Sequence, residues 1–258
     1  MKNAFILSFL IFPFFLLAQE QPTEKKVKEP EVKASDALTK SGNGDAFLQS
    51  LTTGNVTGSS VMAFDNRYEG VKGTPFFFDN WSLGSVLYDN TLFDKELEYR
   101  YDVIKNDLHI KFRSGEVRIP DNFHILQFSL KDLSGKTHFF DHATVQGERV
   151  DQFYEVLYSG KQTQLLKLVK KDLRKADYKG AYSTDQRSDE FTTNTKYFLR
   201  TKTEGSLESI KIKRKALIAA FPTYATQLKT LLDGKEYSDF DEVTFAKVLK
   251  YMEKEWMK

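Results

Sequence analysis

The stretch ELEYRYDVIKNDLHIKF, residues 96–112, decides the fold class. Apolar and charged side chains alternate in both of its halves. The apolar positions are Leu97, Tyr99 and Tyr101 in the first half and Leu108, Ile110 and Phe112 in the second. Such alternation is typical of strands that bury one face and expose the other. The residues between, 102–106, have the length of a hairpin loop. The stretch therefore predicts two antiparallel strands joined by a short turn.

The same pattern continues along the chain as further hairpins. Turn-forming Ser-Gly pairs at residues 114–115, 134–135 and 159–160 separate short apolar runs without an intervening helical stretch. Turns repeated in this way indicate an antiparallel meander with one wet and one covered face. Two hairpins are predicted in the second half, one from residues 153–158 and 164–169, the other from 197–201 and 207–212. The polar residues 172–194 between them predict a long loop.

The last part of the chain predicts helices. Residues 212–221 end before Pro222, residues 223–233 end at Gly234, and Ser238 with Asp241 suggests a capping box before residues 243–256. Strands followed by helices predict an α+β fold, a curved antiparallel sheet built from hairpins with C-terminal helices on one face or end. We expect residues 46–202 to form the β-rich region and 203–258 to pack with it as one compact domain.

The N-terminus predicts export. Residues 1–18 combine the basic Lys2 with an apolar run that ends at Ala18, as in a secretory signal peptide. Pro13 interrupts the run, which is also short of the roughly 20 residues of a membrane-spanning helix. No cysteine follows, so we expect an exported protein of the periplasm or cell exterior, with no lipid and no transmembrane segment after cleavage. The polar residues 19–45 predict a flexible tether.

Composition excludes several function classes. The chain has no cysteine, which rules out disulfide scaffolds, thiol catalysis and thiolate metal sites. Its formal charge of +2 becomes +1 when Lys2 is lost with the signal peptide. A nearly balanced charge argues against a nucleic-acid partner, whose phosphates must be neutralised. Basic runs at 167–175 and 211–215 could contact anionic lipids or polymers, although solvation of a strand face is the simpler interpretation.

Catalytic and metal motifs are not predicted. The chain contains no nucleophile elbow, phosphate-binding loop or dinucleotide fingerprint, so we expect neither an enzyme nor a cofactor. His138 and His142 are four residues apart but lie in a strand-like run, where about 13 Å would separate their Cα atoms. Metal binding there is therefore not expected. His109 falls among the charged positions of its strand, which predicts a solvated side chain, and His124 is expected to be hydrogen-bonded near a strand start.

The aromatic stretch KGTPFFFDNWSLGSV, residues 72–86, carries the candidate binding residues. In an extended segment Phe76 and Phe78 share one face and Phe77 points to the other. Burial in the core is the favoured interpretation, because strands commonly bury aromatic rings. The alternative is a ligand pocket. Its predicted lining is Phe76, Phe78, Trp81, Tyr99 and Phe112. Phe77 is the predicted partner-binding residue, because it would otherwise be an apolar spot on a charged face.

These residues also resemble a known family. The spacing G-x-P-F-x-F-D-x-W-x-x-G at 73–84, with L-x-Y at 97–99 and L-x-x-K at 108–111, is similar to a family of uncharacterised exported proteins of Gram-negative bacteria. Further similar elements are F-Y-x-V-L-Y-x-G-K at 153–161 and Y-F-L at 197–199. The resemblance covers roughly residues 61–221. It implies a common scaffold and no activity.

Two functions remain as hypotheses. The leading one is a non-catalytic exported envelope protein that binds or scaffolds a macromolecular partner, an envelope protein or polymer. The alternative is a carrier of an apolar small molecule in a pocket between the curved sheet and the helices. A lined cavity of about 300 Å³ or more at the aromatic face would favour the carrier.

Overall fold

The structure is a computed structural model. It describes residues 40–42, 44–53, 60–61, 68–95, 97–145, 148–176, 188–201, 207–234, 237 and 239–257. The predicted signal peptide and most of the predicted tether, residues 1–39, lie outside the described residues. No helix in the described ranges is long and apolar enough to cross a membrane.

Thirteen strands and four α-helices are present in the described residues. The strands are β1 (Lys40–Gly42), β2 (Ser60–Val61), β3 (Gly84–Tyr88), β4 (Thr91–Phe93), β5 (Leu97–Asp102), β6 (Asp107–Phe112), β7 (Val117–Ile119), β8 (Ile125–Lys131), β9 (Thr137–Val145), β10 (Glu148–Ser159), β11 (Thr163–Arg174), β12 (Glu190–Thr201) and β13 (Leu207–Ile210). The helices are α1 (Gly44–Thr53), α2 (Arg214–Ala220), α3 (Ala225–Leu232) and α4 (Glu242–Glu255), with a 3₁₀ turn at Pro222–Tyr224.

The strands form two sheets. The large sheet has the order β1-β4-β3-β8-β9-β10-β11-β12-β13, and the small sheet has the order β2-β7-β6-β5. All named strand pairs are antiparallel except β1 with β4. Together with the helices that follow the last strand, this arrangement confirms the predicted α+β fold with a curved antiparallel sheet. The predicted hairpin of residues 97–112 forms, with Tyr99 opposite Ile110.

One core lies between the two sheets. The apolar face of β5 and β6 packs against the large sheet, and α1 closes the same cluster with Phe47 and Leu51. Aromatic rings dominate the contact. Phe128 of β8 and Phe140 of β9 stack with centroids 4.6 Å apart, and Tyr101 of β5 packs against both. The alternating pattern of residues 97–112 thus fixes which face of the small sheet meets the large one.

The C-terminal helices pack on a different part of the large sheet. Leu217, Leu228 and Phe245 of the three helices are fully buried in one cluster with Tyr158, Leu165 and Leu199 of the strands. Asp241 caps α4, because its side chain accepts a hydrogen bond from Thr244 N at 2.8 Å. Ser238, predicted to form a capping box with Asp241, lies outside the described residues.

Part of the large sheet buries side chains on both faces, whereas one wet face was predicted. A third cluster includes Ala143, Tyr154 and Leu166 on the side away from the other two cores. The sheet curves so that β13 approaches β9, and Leu207 of β13 packs against this third cluster. β10 has a register shift between Val156 and Tyr158. Because of this shift, Val156 packs in the third cluster, whereas Tyr158, two residues later, packs under the helices on the other face.

Two further segments differ from their predictions. Residues 40–42, the end of the predicted tether, form a strand parallel to β4. The predicted loop at 172–194 is shorter at both ends, because β11 continues to Arg174 and β12 begins at Glu190. These polar strand ends pair with each other, and backbone hydrogen bonding does not require apolar side chains.

Candidate functional site

The first part of the aromatic stretch, residues 72–83, runs along the free edge of β5 without forming a regular strand. Phe77 N donates to Tyr101 O at 2.8 Å, and Ser82 exchanges backbone hydrogen bonds with Tyr99 at 2.8 and 2.9 Å. Isolated bridges pair Phe76 with Asp102 and Ser82 with Tyr99. More residues separate Phe76 from Ser82 than separate their partners, so the chain bulges between them. This bulge places Phe76 and Trp81 over the outer face of the small sheet.

A lysine from the large sheet anchors the start of this segment. Nζ of Lys171 in β11 donates to Thr74 O at 3.0 Å and also contacts Phe76 O. Burial lowers the pKa of Lys171, while the charges of Asp79 and Asp102 act in the opposite direction. The lysine therefore supports the start of this segment as a hydrogen-bond donor.

The outer face of the small sheet brings a guanidinium against two aromatic rings. Cζ of Arg100 lies 3.7 Å from the Phe76 ring centroid and 4.6 Å from that of Trp81. Lys111 Nζ lies 5.5 Å from the Trp81 ring and pairs with Glu98 at 2.5 Å. All five side chains are half-buried. We call these five residues, with the neighbouring Leu83, the aromatic–cation surface.

Arg100 keeps its charge in this environment. Burial lowers the pKa of the guanidinium, and the nearby charge of Asp102 raises it. An arginine begins from a pKa above about 12, so it remains protonated at neutral pH. Aromatic faces stabilise such a cation through their quadrupoles, by about 0.5–2 kcal/mol per contact.

A surface depression of about 490 Å³ continues from this surface. Leu83 and Glu98 belong to both. The remaining lining residues are Gly84, Ser85, Asp94, Leu97, Ser129 and Lys131. Ser85 and Ser129 join their hydroxyl groups by a hydrogen bond of 2.8 Å. Leu83 at the rim is 64% exposed. The depression therefore combines polar side chains and apolar surface in about equal parts.

His109 is buried, whereas a solvated side chain was predicted. Its side chain is only 2% exposed, and its ring meets the edge of Phe76 at 5.3 Å. Alternation along β6 correctly places His109 on the face opposite Leu108 and Ile110, but the aromatic stretch covers that face here. The strand pattern could not reveal a cover supplied by another segment.

The predicted pocket residues separate into two groups. Phe76 and Trp81 lie at the surface, whereas Tyr99 and Phe112 are buried in the core between the sheets. Tyr99 donates its hydroxyl hydrogen to Phe93 O at 2.9 Å. The predicted ligand set is thus not assembled around one cavity.

Phe77 and Phe78 lie together against the core, so the expected pairing of Phe76 with Phe78 on one face is wrong for this bent segment. Phe77 meets Phe78 at 4.8 Å and Phe140 at 5.0 Å between ring centroids. The partner-binding role of Phe77 stays a prediction, and its ring packs on the large sheet.

A second polar feature connects the core between the sheets with the core under the helices. His138 Nδ1 lies 2.6 Å from Glu155 Oε1, and Lys167 Nζ lies 3.5 Å from Glu155 and 3.0 Å from Glu242 of α4. Tyr197 donates to Glu242 at 2.5 Å. We call these five residues the cross-sheet network. Because Lys167 points into it, the basic run at 167–175 is divided between two faces of β11 and is not one exposed strip.

Sequence reasoning missed Arg100 and the cross-sheet network for one reason. Both depend on residues that are distant in sequence. The only signal for Arg100 was its position on the charged face of β5. Comparison of the chain with family models, with curated proteins and with solved structures found no match.

Proposed function

We propose that the protein is a non-catalytic binding module that holds a macromolecular partner on the aromatic–cation surface. The contact of Arg100 with both Phe76 and Trp81 carries this proposal. A guanidinium held against rings loses little side-chain freedom when a partner binds, so more of the contact energy contributes to affinity. Tryptophan and arginine are also the residues that most often dominate binding energy at interfaces.

The position of the C-terminal helices supports this choice of surface. They pack on the large sheet, where Leu217, Leu228 and Phe245 are buried. The outer face of the small sheet carries the aromatic stretch instead, with Trp81 half-buried and Leu83 largely exposed. A partner would thus meet apolar rings and charged groups together, as in the core and rim of a protein interface.

Engagement of His138 and His142 supports a non-catalytic role. Both ring nitrogens of His138 face carboxylates, of Glu155 at 2.6 Å and of Asp132 at 3.4 Å. Those of His142 lie 3.0 and 3.2 Å from the backbone oxygens of Val150 and Ile125. A general base has to reach a substrate proton with an available nitrogen. These rings are used to join strands of the large sheet.

The N-terminal sequence supports a place for this function outside the cytoplasm. Residues 1–18 have the pattern of a signal peptide, and no cysteine is present to carry a lipid. We therefore propose that the module acts in the periplasm or at the cell exterior. Its partner is then an envelope protein or polymer.

Photocrosslinking tests the proposal. A photoreactive residue replaces Leu83 in one variant and Val243 of α4 in another, since both side chains are well exposed and apolar. We expect the position-83 variant to form a crosslink to a macromolecule in whole envelopes, and Trp81→Ala to abolish it. The position-243 variant should not form this product. Equal products from both positions, or no product from position 83, would contradict the proposal.

One observation supports the alternative function, a carrier of an apolar small molecule. A depression of about 400 Å³ lies between the large sheet and the helices, although it uses none of the aromatic residues predicted to line a pocket. Leu199, Ala220, Phe221 and Met257 supply its apolar lining. If the protein is a carrier, an apolar fluorescent dye should bind, and Ala220→Leu should block it without affecting the crosslink at position 83.

A further inference from the structure

We infer that the aromatic–cation surface binds an anionic polysaccharide, with Arg100 pairing with a carboxylate or phosphate on the chain and Trp81 packing against an adjacent sugar ring. This inference rests on the proposed function, because it assigns a chemical class to the partner of the same surface. Four features of the described residues carry it: the availability of Arg100, the engagement of the nearby carboxylates, the lining of the depression, and the occupied edge of β5.

Arg100 has hydrogen-bonding capacity that the protein does not use. Its Nε is buried, and no residue in the described ranges accepts a hydrogen bond from it. None of the ion pairs among the described residues includes Arg100. The two terminal nitrogens therefore form the end of the guanidinium that can meet a ligand. Their planar geometry matches two oxygens of a carboxylate or a phosphate.

Two carboxylates on β5, those of Asp102 and Glu98, are engaged elsewhere. Oδ1 of Asp102 accepts hydrogen bonds from Ile104 N at 2.9 Å and Lys105 N at 3.0 Å, which closes the β5–β6 turn. Glu98 pairs with Lys111 across the two strands. The charge of Asp102 raises the pKa of Arg100, but Asp102 forms no ion pair with it. An external oxyanion would supply the contact that these residues do not make.

The depression beside Trp81 suits a chain rich in hydroxyl groups. Sugar hydroxyls both donate and accept hydrogen bonds. The carboxylates of Asp94 and Glu98 can accept, Lys131 can donate, and Ser85 and Ser129 can do either. Trp81 and Leu83 add apolar surface for the ring of a sugar. A hydroxyl-bearing polymer with spaced negative charges would fit both parts of the surface.

Two other classes of partner fit less well. A peptide cannot add to β5 as a strand, since Phe77 and Ser82 already bond to its edge. An anionic membrane attracts surfaces with an excess of basic groups. Among the described residues of the surface and the depression, the cations are Arg100, Lys111 and Lys131, and the carboxylates are Asp94 and Glu98, with Asp102 close to Arg100. The charges balance, so recognition depends on local contact and not on a basic patch.

Tryptophan fluorescence provides the test. The chain has two tryptophans, so Trp256→Phe leaves Trp81 as the only one. This protein is titrated with trigalacturonate, with a trisaccharide that carries a phosphate monoester, and with neutral galactotriose. We expect a saturable change with at least one acidic trisaccharide and binding at least about tenfold weaker for the neutral one. The acidic trisaccharide that binds more tightly identifies the oxyanion as carboxylate or phosphate.

Substitutions assign the effect to Arg100. Arg100→Gln should weaken binding of the acidic trisaccharide by about tenfold to a hundredfold, because paired hydrogen bonds to a charged group are lost. Arg100→Lys should recover only part of the affinity, since an ammonium lacks the planar fork. Arg118→Gln is the matched control on the same sheet, where Arg118 pairs with Glu116 at 2.6 Å, and it should leave the affinity unchanged. Melting temperatures verify that each variant is folded.

Several results would overturn the inference: equal binding of neutral and acidic trisaccharides, affinity unchanged in Arg100→Gln, or binding only to glutamate-rich peptides or anionic vesicles. The crosslink at position 83 separates this failure from that of the proposed function. If the crosslink persists and depends on Trp81 while no acidic saccharide binds, the polysaccharide assignment is wrong and the binding module stands. If both results are negative, both proposals are wrong.

Discussion

The Nδ1 atom of His138 lies 2.6 Å from Oε1 of Glu155, a carboxylate that is only 4% exposed. Burial raises the pKa of Glu155, but the hydrogen bond from His138 and the charge of Lys167 outweigh it and hold the pKa below its usual value. Lys167 continues the contact to Glu242 at the first turn of α4. The cross-sheet network therefore connects strands β9 to β11 with the C-terminal helices.

Removing His138 should leave Glu155 with a buried and poorly compensated charge. We expect His138→Phe to lower the free energy of unfolding by about 3 kcal/mol, because breaking a buried pair from one side is costly. Phe77 and Phe78 already pack around this position, so the new ring keeps apolar contacts. Denaturant unfolding measures the change.

His124→Gln is the control for this prediction. His124 pairs at 2.8 Å with Asp89, whose side chain is 58% exposed, and exposed pairs contribute about 0–1 kcal/mol. In a double-mutant cycle, His138→Phe and Glu155→Leu should be strongly non-additive. Additive effects, or a His138→Phe protein as stable as the parent, would show that the network contributes little.

Two buried tyrosines should respond differently to loss of the hydroxyl group. Tyr99 donates to Phe93 O, whereas no described residue bonds to the buried hydroxyl of Tyr88. We expect Tyr99→Phe to destabilise the protein by about 1–2 kcal/mol and Tyr88→Phe to be neutral or slightly stabilising. Thermal melting at one pH compares them. The reverse order would mean that the Tyr88 hydroxyl has a partner such as an ordered water.

Glu253 should make the free energy of unfolding decrease at acidic pH. Its carboxylate accepts hydrogen bonds from the backbone of Lys161, Gln162 and Thr163 and from the Thr163 hydroxyl. Burial raises the pKa of Glu253, but these bonds outweigh it and lower the pKa below the usual 4.5. A lowered folded pKa gives stabilisation that is complete above the unfolded value and is lost as the pH falls through the folded value.

We therefore expect Glu253→Gln to cost about 1–2 kcal/mol at pH 7, with the difference from the parent shrinking as the pH falls below about 4.5. Unfolding curves from pH 7 to pH 3 measure it. Glu255→Gln is the control, since Glu255 pairs with the well-exposed Lys254 and should show no such convergence. A gap that stays constant with pH would contradict the role of the carboxylate charge.

The aromatic residues should fall into two classes of stability effect. Phe140 is 1% exposed and touches Phe77 and Phe128, so Phe140→Ala should cost about 3–5 kcal/mol. Trp81 is only half-buried, so Trp81→Ala should cost less, about 1–2 kcal/mol. Equal and large losses in chemical denaturation would place Trp81 in the core and contradict its assignment to a binding surface.

Strand pattern was the strongest part of the sequence prediction. The hairpin at 97–112 and the predicted helices near 212–221, 223–233 and 243–256 all form, because their patterns repeat locally at two or about 3.6 residues. Phe76–Phe78 was misjudged, since a run of three aromatics has no alternation that could set its faces. The bulge between Phe76 and Ser82 arises because this segment pairs with Tyr99 and Tyr101 of β5.

The sequence by itself determined the fold class, the inward face of each strand in the first hairpin, and the absence of thiol chemistry. These properties depend on residue type and on spacing within a few residues. Only the tertiary structure decided that Arg100 meets Phe76 and Trp81, that His109 is covered, and that Lys167 joins Glu155 to Glu242. Each of these contacts joins residues on different elements, and their meeting depends on how sheets and helices pack, which a local pattern does not specify.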